Sequence, residues 1–464
     1  MNSVPISDRP KPSPDGGAEA LPADAARQSV ERESTVAEVL NVPGRKVLVL
    51  MPDFPGLGGG SRYKIIRYLS QFGCHPVVIT DVAPPEPENI PACDRGRFTI
   101  LRARCFRKSP FRVFSRFFNA WELAMYLERV FFVPDLYVNW VPSAYLRASR
   151  LVREQRFDSI FSTSPPESVH LAALLLKRRR KIRWVADFRD LWTTKQIIFR
   201  PPSRWHDRVV KRMERTIYRE ADHVIANTRG NRDVYSREFG IPDRKMTVIP
   251  GGYDPEDFQG LDSARASGGD GVLRIGYMGR LDKDGFPWRE FAQALGQALA
   301  SCSGAKVEFA FCGSVKKETL AELISTLGAG RVRHHGLLPH TEAVKLMSRC
   351  QVLLMLLYET DYSRAIVPHK LYYYLGLNRP ILAISDDQGE AAAIIRKTNT
   401  GVVISAKEPG NIAGALRGYI KAWKEGGTIP HRPNEREISH YSVVSHARDL
   451  ARVLDGGQDA ERAG

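Results

Sequence analysis

The sequence predicts an α/β fold of two doubly wound domains, each built on a parallel sheet. Three observations lead there. Runs of strand length rich in Val, Ile and Leu alternate with amphipathic segments from about residue 45 to 455. The runs are continuously apolar rather than alternating, as in strands covered on both faces. A softer stretch, Gly260–Gly271, rich in Gly, Ser, Ala and Asp, splits the series into two βαβ sets, so two domains should meet near residue 265.

In the first set, Lys46–Met51 (KVLVLM) has strand length and composition. A glycine-rich turn follows, then a helix over Ser61–Phe72 with Ile65, Ile66 and Leu69 on one face. Pro76–Thr80, Ser159–Ser162, Trp184–Phe188, His223–Ala226 and Met246–Ile249 are the further strands, with helices expected over Ser168–Lys181 and Asp207–Glu220. The second set opens with strand Leu273–Met278, helix Pro287–Ala300, strand Lys306–Phe311 and helix Lys316–Leu327. Val352–Leu357, Pro380–Ile384 and Gly401–Ile404 complete it. The expected organisation is a disordered tail over 1–43, a first domain over 44–262, a second over 263–430 and a terminal segment over 431–464. The tail is too poor in aliphatics to offset its chain entropy. A helix near Ser442–Leu454 would fold back on the first domain.

The 464 residues suffice for two sizeable cores. With 43% hydrophobic and 26% charged residues the chain is ordinary globular material, which excludes fibrous and disulfide-scaffold classes. The six cysteines show no C-x-x-C spacing and read as reduced thiols of a cytoplasmic protein, with no zinc framework. No signal pattern is present, and no apolar run reaches the ~18 residues of a membrane span. The net charge of +16 calls for an anionic partner: nucleic acid, an acidic membrane surface or phosphorylated ligands. The excess is local, since residues 41–260 carry 38 Lys and Arg against 23 Asp and Glu. No nucleic-acid motif accompanies it.

Ligands of open parallel sheets bind beyond the carboxyl ends of the strands, and four motifs fall there. Gly56–Arg62 (GLGGGSR) would let backbone N–H groups approach a phosphate at a helix start. With Asp81 at the end of the next strand it also fits a dinucleotide fingerprint, or simply a tight turn. Ala186–Trp192 (ADFRDLW) sets two carboxylates about an arginine, suited to handling a hydroxyl proton or to closing the strand structurally. Gly279–Lys283 (GRLDK) offers a small residue and two cations to a diphosphate, or forms a solvated loop. Ala365–Leu375 (AIVPHKLYYYL) can begin a helix at Pro368 whose N-terminus, with Lys370, faces an anion, or can be a helix with a tyrosine packing face.

In this order the motifs resemble the glycosyltransferases of the GT-B fold, specifically the family 4-like group, over most of residues 45–455. Gly58–Arg62 is similar to that family's first loop. Ser162–Leu171 followed by Asp187–Trp192 resembles the paired "SPP…H" and "DFRDxW" segments of bacterial members. Ala221–Thr228 and Val248–Asp254 are similar to the end of its acceptor domain, and Val367–Leu375 to its "PSKLYEYL" segment. The resemblance implies two Rossmann-like domains facing across a cleft. It implies transfer of a sugar from a nucleotide-sugar, with retention, to a glycan or lipid-linked acceptor, usually with no metal and with no cofactor beyond that co-substrate. Assembly of a cell-surface polysaccharide is the usual employment. By position, Gly59, Gly60, Gly279, Arg280, Lys283, Pro368, Lys370 and Glu390 would face the donor. Asp190, Asp187 and His170 are the catalytic candidates, in that order.

Two departures concern the donor. Tyr373 stands where the family usually carries a glutamate for the ribose hydroxyls, and Ala365 where an earlier acid is usual. The lysine often found five residues after Arg280 is replaced by Gly285. A non-catalytic binding protein of transferase ancestry and an NAD-dependent oxidoreductase remain the alternatives. Finally, within Arg102–Phe132 the cations Arg102, Arg104, Arg107, Lys108, Arg112 and Arg116 come beside interleaved aromatic residues, a composition suited to an anionic membrane interface or to a helical insertion with a basic outer face. The expected location is cytoplasmic, peripheral on the inner membrane face where that segment docks.

Overall fold

The computed structural model describes residues 44–54, 61–82, 96–105, 111, 121–194, 201–261, 270–283, 285–360 and 363–457. Pro43–Gly464 gather into one compact unit. The expected tail and the glycine-rich turn before Ser61 lie outside the described residues.

The first domain contains β1 (Arg45–Leu50), α1 (Ser61–Tyr68), β2 (Cys74–Thr80), β3 (Thr99–Arg102), α2 (Trp121–Phe131), α3 (Val141–Glu154), β4 (Ser159–Ser164), α4 (Val169–Arg180), β5 (Arg183–Phe188), α5 (Arg204–Glu220), β6 (His223–Ala226), α6 (Arg229–Phe239) and β7 (Met246–Val248). Its strands run parallel in the order β3-β2-β1-β4-β5-β6-β7. The second domain contains β8 (Leu273–Met278), α7 (Trp288–Ser301), β9 (Val307–Cys312), α8 (Lys317–Leu327), β10 (Val332–His334), α9 (His340–Ser348), β11 (Val352–Leu356), α10 (His369–Leu377), β12 (Ile381–Ile384), α11 (Glu390–Thr398), β13 (Gly401–Ile404) and α12 (Pro409–Gly426). Its strands are parallel in the order β10-β9-β8-β11-β12-β13. Two helices close the chain, α13 (Glu435–Ser439) and α14 (Val443–Leu454).

Burial explains the apolar runs. Every residue of β2, β4 and β11 is buried, because helices cover both faces of each sheet. The strands that the sequence pattern misses are β3 and β10. Both are edge strands of three or four residues with mostly half-exposed side chains, so neither needs an apolar run. Helix α6 escapes for a related reason: its buried residues are Asn231 and Tyr235, and it starts from the Thr228 hydroxyl, which accepts from the Asn231 N–H at 3.1 Å.

Val443, Ala447, Leu450 and Leu454 of α14 pack into the core of the first sheet with Val49, Ile65 and Phe161. The chain therefore crosses between domains twice, and the crossings pair. Tyr253 N–H donates to Tyr441 O (3.0 Å) and Val443 N–H to Tyr253 O (2.9 Å). The first crossing is further tied to α1. Buried Asp254 accepts from the Tyr68 hydroxyl at 2.9 Å, Lys64 pairs with Asp257, and Arg67 pairs with Glu256. This bracing sets where the carboxyl edges of the two sheets stand.

Candidate functional site

In the first domain, Asp187 ends β5 and is wholly buried. Its carboxylate accepts from the Thr163 hydroxyl of the adjacent strand at 2.6 Å and pairs with Arg62 in the first turn of α1. It is thus the anchor of an arginine rather than an open carboxylate. Burial, reinforced by the nearby charge of Arg189, lowers Arg62 to about 9 against the pull of Asp187. Arg62 Nε and Nη1 have no hydrogen-bond partner among the described residues. Asp190, two residues past the strand, is exposed, and its backbone carbonyl accepts from the Tyr235 hydroxyl at 3.4 Å. Arg189 between them donates to Ile249 O at 2.9 Å.

His170 departs from its expected role. It has no exposed surface, its Nδ1 is 2.8 Å from the Ser162 hydroxyl, and its ring lies 4.3 Å from Phe188. Burial holds it down to about 3, so it is neutral and packed, without access to a substrate. Asp81 likewise spends its carboxylate locally, on the Cys105 N–H at 2.6 Å, instead of presenting it to a ribose. One acid on the SPP loop was not singled out from the sequence. Glu167 follows β4, and burial together with the charge of Asp135 raises it to about 7. Only its place after a strand could have signalled it.

In the second domain the candidates converge at the end of β8. Gly279 has φ +114 and donates its N–H to Cys312 O at 2.8 Å. Gly313 of the neighbouring loop lies against it; a Cβ at Gly313 would collide with the Gly279 carbonyl oxygen. Arg280 is about half exposed, with Nε 3.2 Å from the Asp282 carboxylate. Asp282 also accepts the Lys316 N–H at 2.6 Å, so it ties the loops after β8 and β9 together. Pro368 is the N-cap of α10, which carries no side-chain cap. Lys370 in its first turn places Nζ 3.8 Å above the Tyr277 ring and 3.3 Å from the space a Cβ would fill on Gly279. A larger residue at 279 would crowd the ammonium. Burial first, and the like charge of Lys283 second, lower Lys370 to about 7.

Tyr373 and Glu390 do not join this group. The Tyr373 ring lies 4.5 Å from His340 and 5.0 Å from His369, and burial with the charges of Asp257 and Asp254 raises its phenol. Glu390 opens α11 and accepts from the Gly230 N–H at the start of α6, across the domain seam. Burial raises it as well. Gly230 is required there, because a Cβ would meet the Ala365 Cβ at 2.8 Å. Ala365 is thus small because it faces the other domain. Gly59 and Gly60 lie outside the described residues. Among the described residues no group of three or more His, Cys, Asp or Glu is disposed to hold a metal ion.

A cluster of cations and N–H groups beyond β8 suits a ligand with a diphosphate. Residues 58–252 match the model of the glycosyl transferase 4-like domain. "Probable glycosyltransferase WbjE" of Pseudomonas aeruginosa is 23% identical over 279 residues, covering 56% of this chain and 65% of that protein's length. Among solved structures, HepE of Anabaena in complex with UDP-glucose superposes with a TM-score of 0.54 at 16% identity, over 89% of this chain and 99% of that one. WaaG, described as a glycosyltransferase involved in lipopolysaccharide biosynthesis, gives 0.54 at 14% identity, over 89% and 100%. These likenesses are of fold. The chain therefore has the GT-B fold, and residues 58–252 of it are similar to the glycosyl transferase 4-like domain.

Proposed function

We propose that the protein transfers a sugar from a nucleotide-sugar, held by the second domain, to a glycan acceptor held by the first. The observation that carries this reading is the enclosure of Lys370 beside Gly279, with Arg280 on the same loop and the N-terminus of α10 behind it. When the glycosyl C1–oxygen bond breaks, the electron pair goes to the diphosphate. Fixed cations and amides aimed at that oxygen lower the barrier without having to reorganise. The acceptor hydroxyl forms the new bond to C1, and its proton can pass to the departing phosphate oxygen. That route retains the anomeric configuration and needs no strong enzymic base. Asp190, exposed beyond β5, orients the acceptor; Asp187 holds Arg62.

A lipid-linked acceptor in cell-surface polysaccharide assembly fits the basic first domain and the named occupation of WaaG. On helix α2 the side chains of Trp121, Leu123, Tyr126 and Phe131 are exposed, as is Trp205 of α5. An anionic membrane surface is the partner we assign to this face; most of the basic stretch before it lies outside the described residues. Among the described residues no helix is long and apolar enough to cross a membrane. Sedimentation with vesicles containing or lacking anionic lipid tests the docking, and binding that ignores lipid charge refutes it.

The activity is tested with a panel of nucleotide-sugars and mass-spectrometric detection of free nucleotide and of product. Release and transfer abolished by Arg280→Ala support the reading. Nucleotide binding without release or transfer would instead assign a binding protein, and NAD binding alone an oxidoreductase.

A further inference from the structure

Helix α6 begins just past the carboxyl end of β6, so its N-terminus stands on the ligand-binding edge of the first sheet. The first amides of a helix have no partner within it. Here elements of both domains supply one. The Thr228 hydroxyl accepts from the Asn231 N–H at 3.1 Å, and the Glu390 carboxylate accepts from the Gly230 and Arg229 N–H groups. Glu390 is itself the first residue of α11, beyond the carboxyl end of β12 in the second sheet. One side chain therefore joins the carboxyl edges of the two sheets.

The packing around it is built for close approach. A Cβ on Gly230 would stand 2.8 Å from the Ala365 Cβ and 3.2 Å from the Glu390 carboxylate. Ala365 ends a short turn, Ser363–Ala365, in which the buried Ser363 hydroxyl donates to Thr360 O at 2.7 Å and accepts the Thr360 N–H at 2.9 Å. The same segment leads directly to Pro368 and the helix that carries Lys370. The seam is thus a short stretch of chain away from the cations beyond β8. Burial is the largest influence on the Glu390 carboxyl and raises it; the charge of Arg229 favours the ionised form and that of Asp233 opposes it. What α6 takes from Glu390 is therefore an acceptor oxygen at the right reach more than a negative charge.

We propose that Glu390 is an interdomain latch. It joins α11 to α6 when the cleft is closed and leaves the α6 amides to water when the cleft opens. Its consequence for activity rests on the nucleotide-sugar reading above. On that reading, closure brings the Lys370 helix and the first domain to opposite sides of the donor and excludes water from the bond that breaks. Glu390 is then a positioning residue that acts through the domain geometry and makes no contact with the transferred sugar.

The full chain is compared as wild type, Glu390→Gln, Glu390→Asp and Glu390→Ala. Gln keeps the reach and an acceptor oxygen. Asp keeps the charge, which suits the start of α11, but is one methylene short. Small-angle scattering and hydrogen exchange of the Arg229 and Gly230 amides are measured without ligand, and titration calorimetry follows UDP, GDP, UDP-glucose and GDP-mannose. The Asp and Ala variants should show a larger radius of gyration and faster exchange, and the Gln variant should match wild type. Free diphosphates and nucleotide-sugars should weaken by the same factor, about fivefold, because the binding-competent closed fraction falls. Unchanged radius and exchange in the Asp and Ala variants overturn the proposal, as does a Gln variant that behaves like Ala. An opened variant that binds every nucleotide as wild type does also overturns it. So does a loss confined to UDP-glucose or GDP-mannose, which would give Glu390 to the donor sugar. If no nucleotide binds wild type, the nucleotide-sugar reading falls, and scattering with exchange decides the latch alone.

Discussion

On the proposed function, Lys370 should make binding of a diphosphate a proton-linked event. Its ammonium is enclosed by Tyr277 and Gly279, and burial with the like charge of Lys283 brings it to about 7 from an ordinary 10.5. A diphosphate placed against it favours the charged form and moves it back upward. The sign follows from linkage. The bound state holds the proton more tightly than the free state, so affinity is complete below pH 7. It then falls about tenfold per pH unit between pH 7 and the raised value in the complex. From pH 7 to 9 the loss should approach 100-fold, with close to one proton taken up per nucleotide at pH 8. Titration calorimetry of UDP and GDP in two buffers of different ionisation enthalpy measures that uptake directly. Lys370→Met should bind about 100-fold more weakly at pH 6 and lose the slope, which also removes the contribution of the nucleotide's own ionisation. A wild-type profile flat from pH 7 to 9, or one that Lys370→Met reproduces, would refute the argument.

Other residues give sharper tests of packing. Asp187→Asn leaves the buried Arg62 guanidinium without its counter-charge and should cost about 3–5 kcal/mol, read from the denaturant midpoint. Gly313→Ala drives a methyl into the Gly279 carbonyl at φ +129, so nucleotide affinity should fall at least tenfold with a lower melting temperature. In Gly230→Ala the new Cβ meets Ala365 across the seam; small-angle scattering should show a larger radius of gyration, and melting of each isolated sheet core should change little. Because His170 is neutral and packed, activity between pH 5.5 and 7.5 should carry no step that His170→Gln removes, although the variant should be less stable.

Much of the fold was legible because its signals are local. Continuous apolar runs such as Val47–Leu50 and Val352–Leu356 report strands covered on both faces, whatever their neighbours. Loops rich in Gly, Arg and Lys just after such runs, as at Gly279–Lys283, report a binding edge, since topology sends every strand end to the same side. The edge strands β3 and β10 were illegible because half-exposed residues need no apolar pattern.

By itself, then, the sequence determined two parallel-sheet domains, the position of the glycine- and cation-rich loops at their carboxyl edges and the concentration of positive charge in the first domain. Only the tertiary structure decided which of the polar residues are buried, paired or open. Arg62 and Asp187 are 125 residues apart and meet in a buried pair; Glu390 and Gly230 are 160 apart and meet across the domain seam. His170 shares a motif with open loop residues yet points into the core, and Tyr373 sits one turn beyond Lys370 yet packs against His340 and His369. Helical and strand periods assign a side chain to a face. What lies opposite that face depends on how distant segments pack, and this is where carboxylates become anchors, latches or free groups.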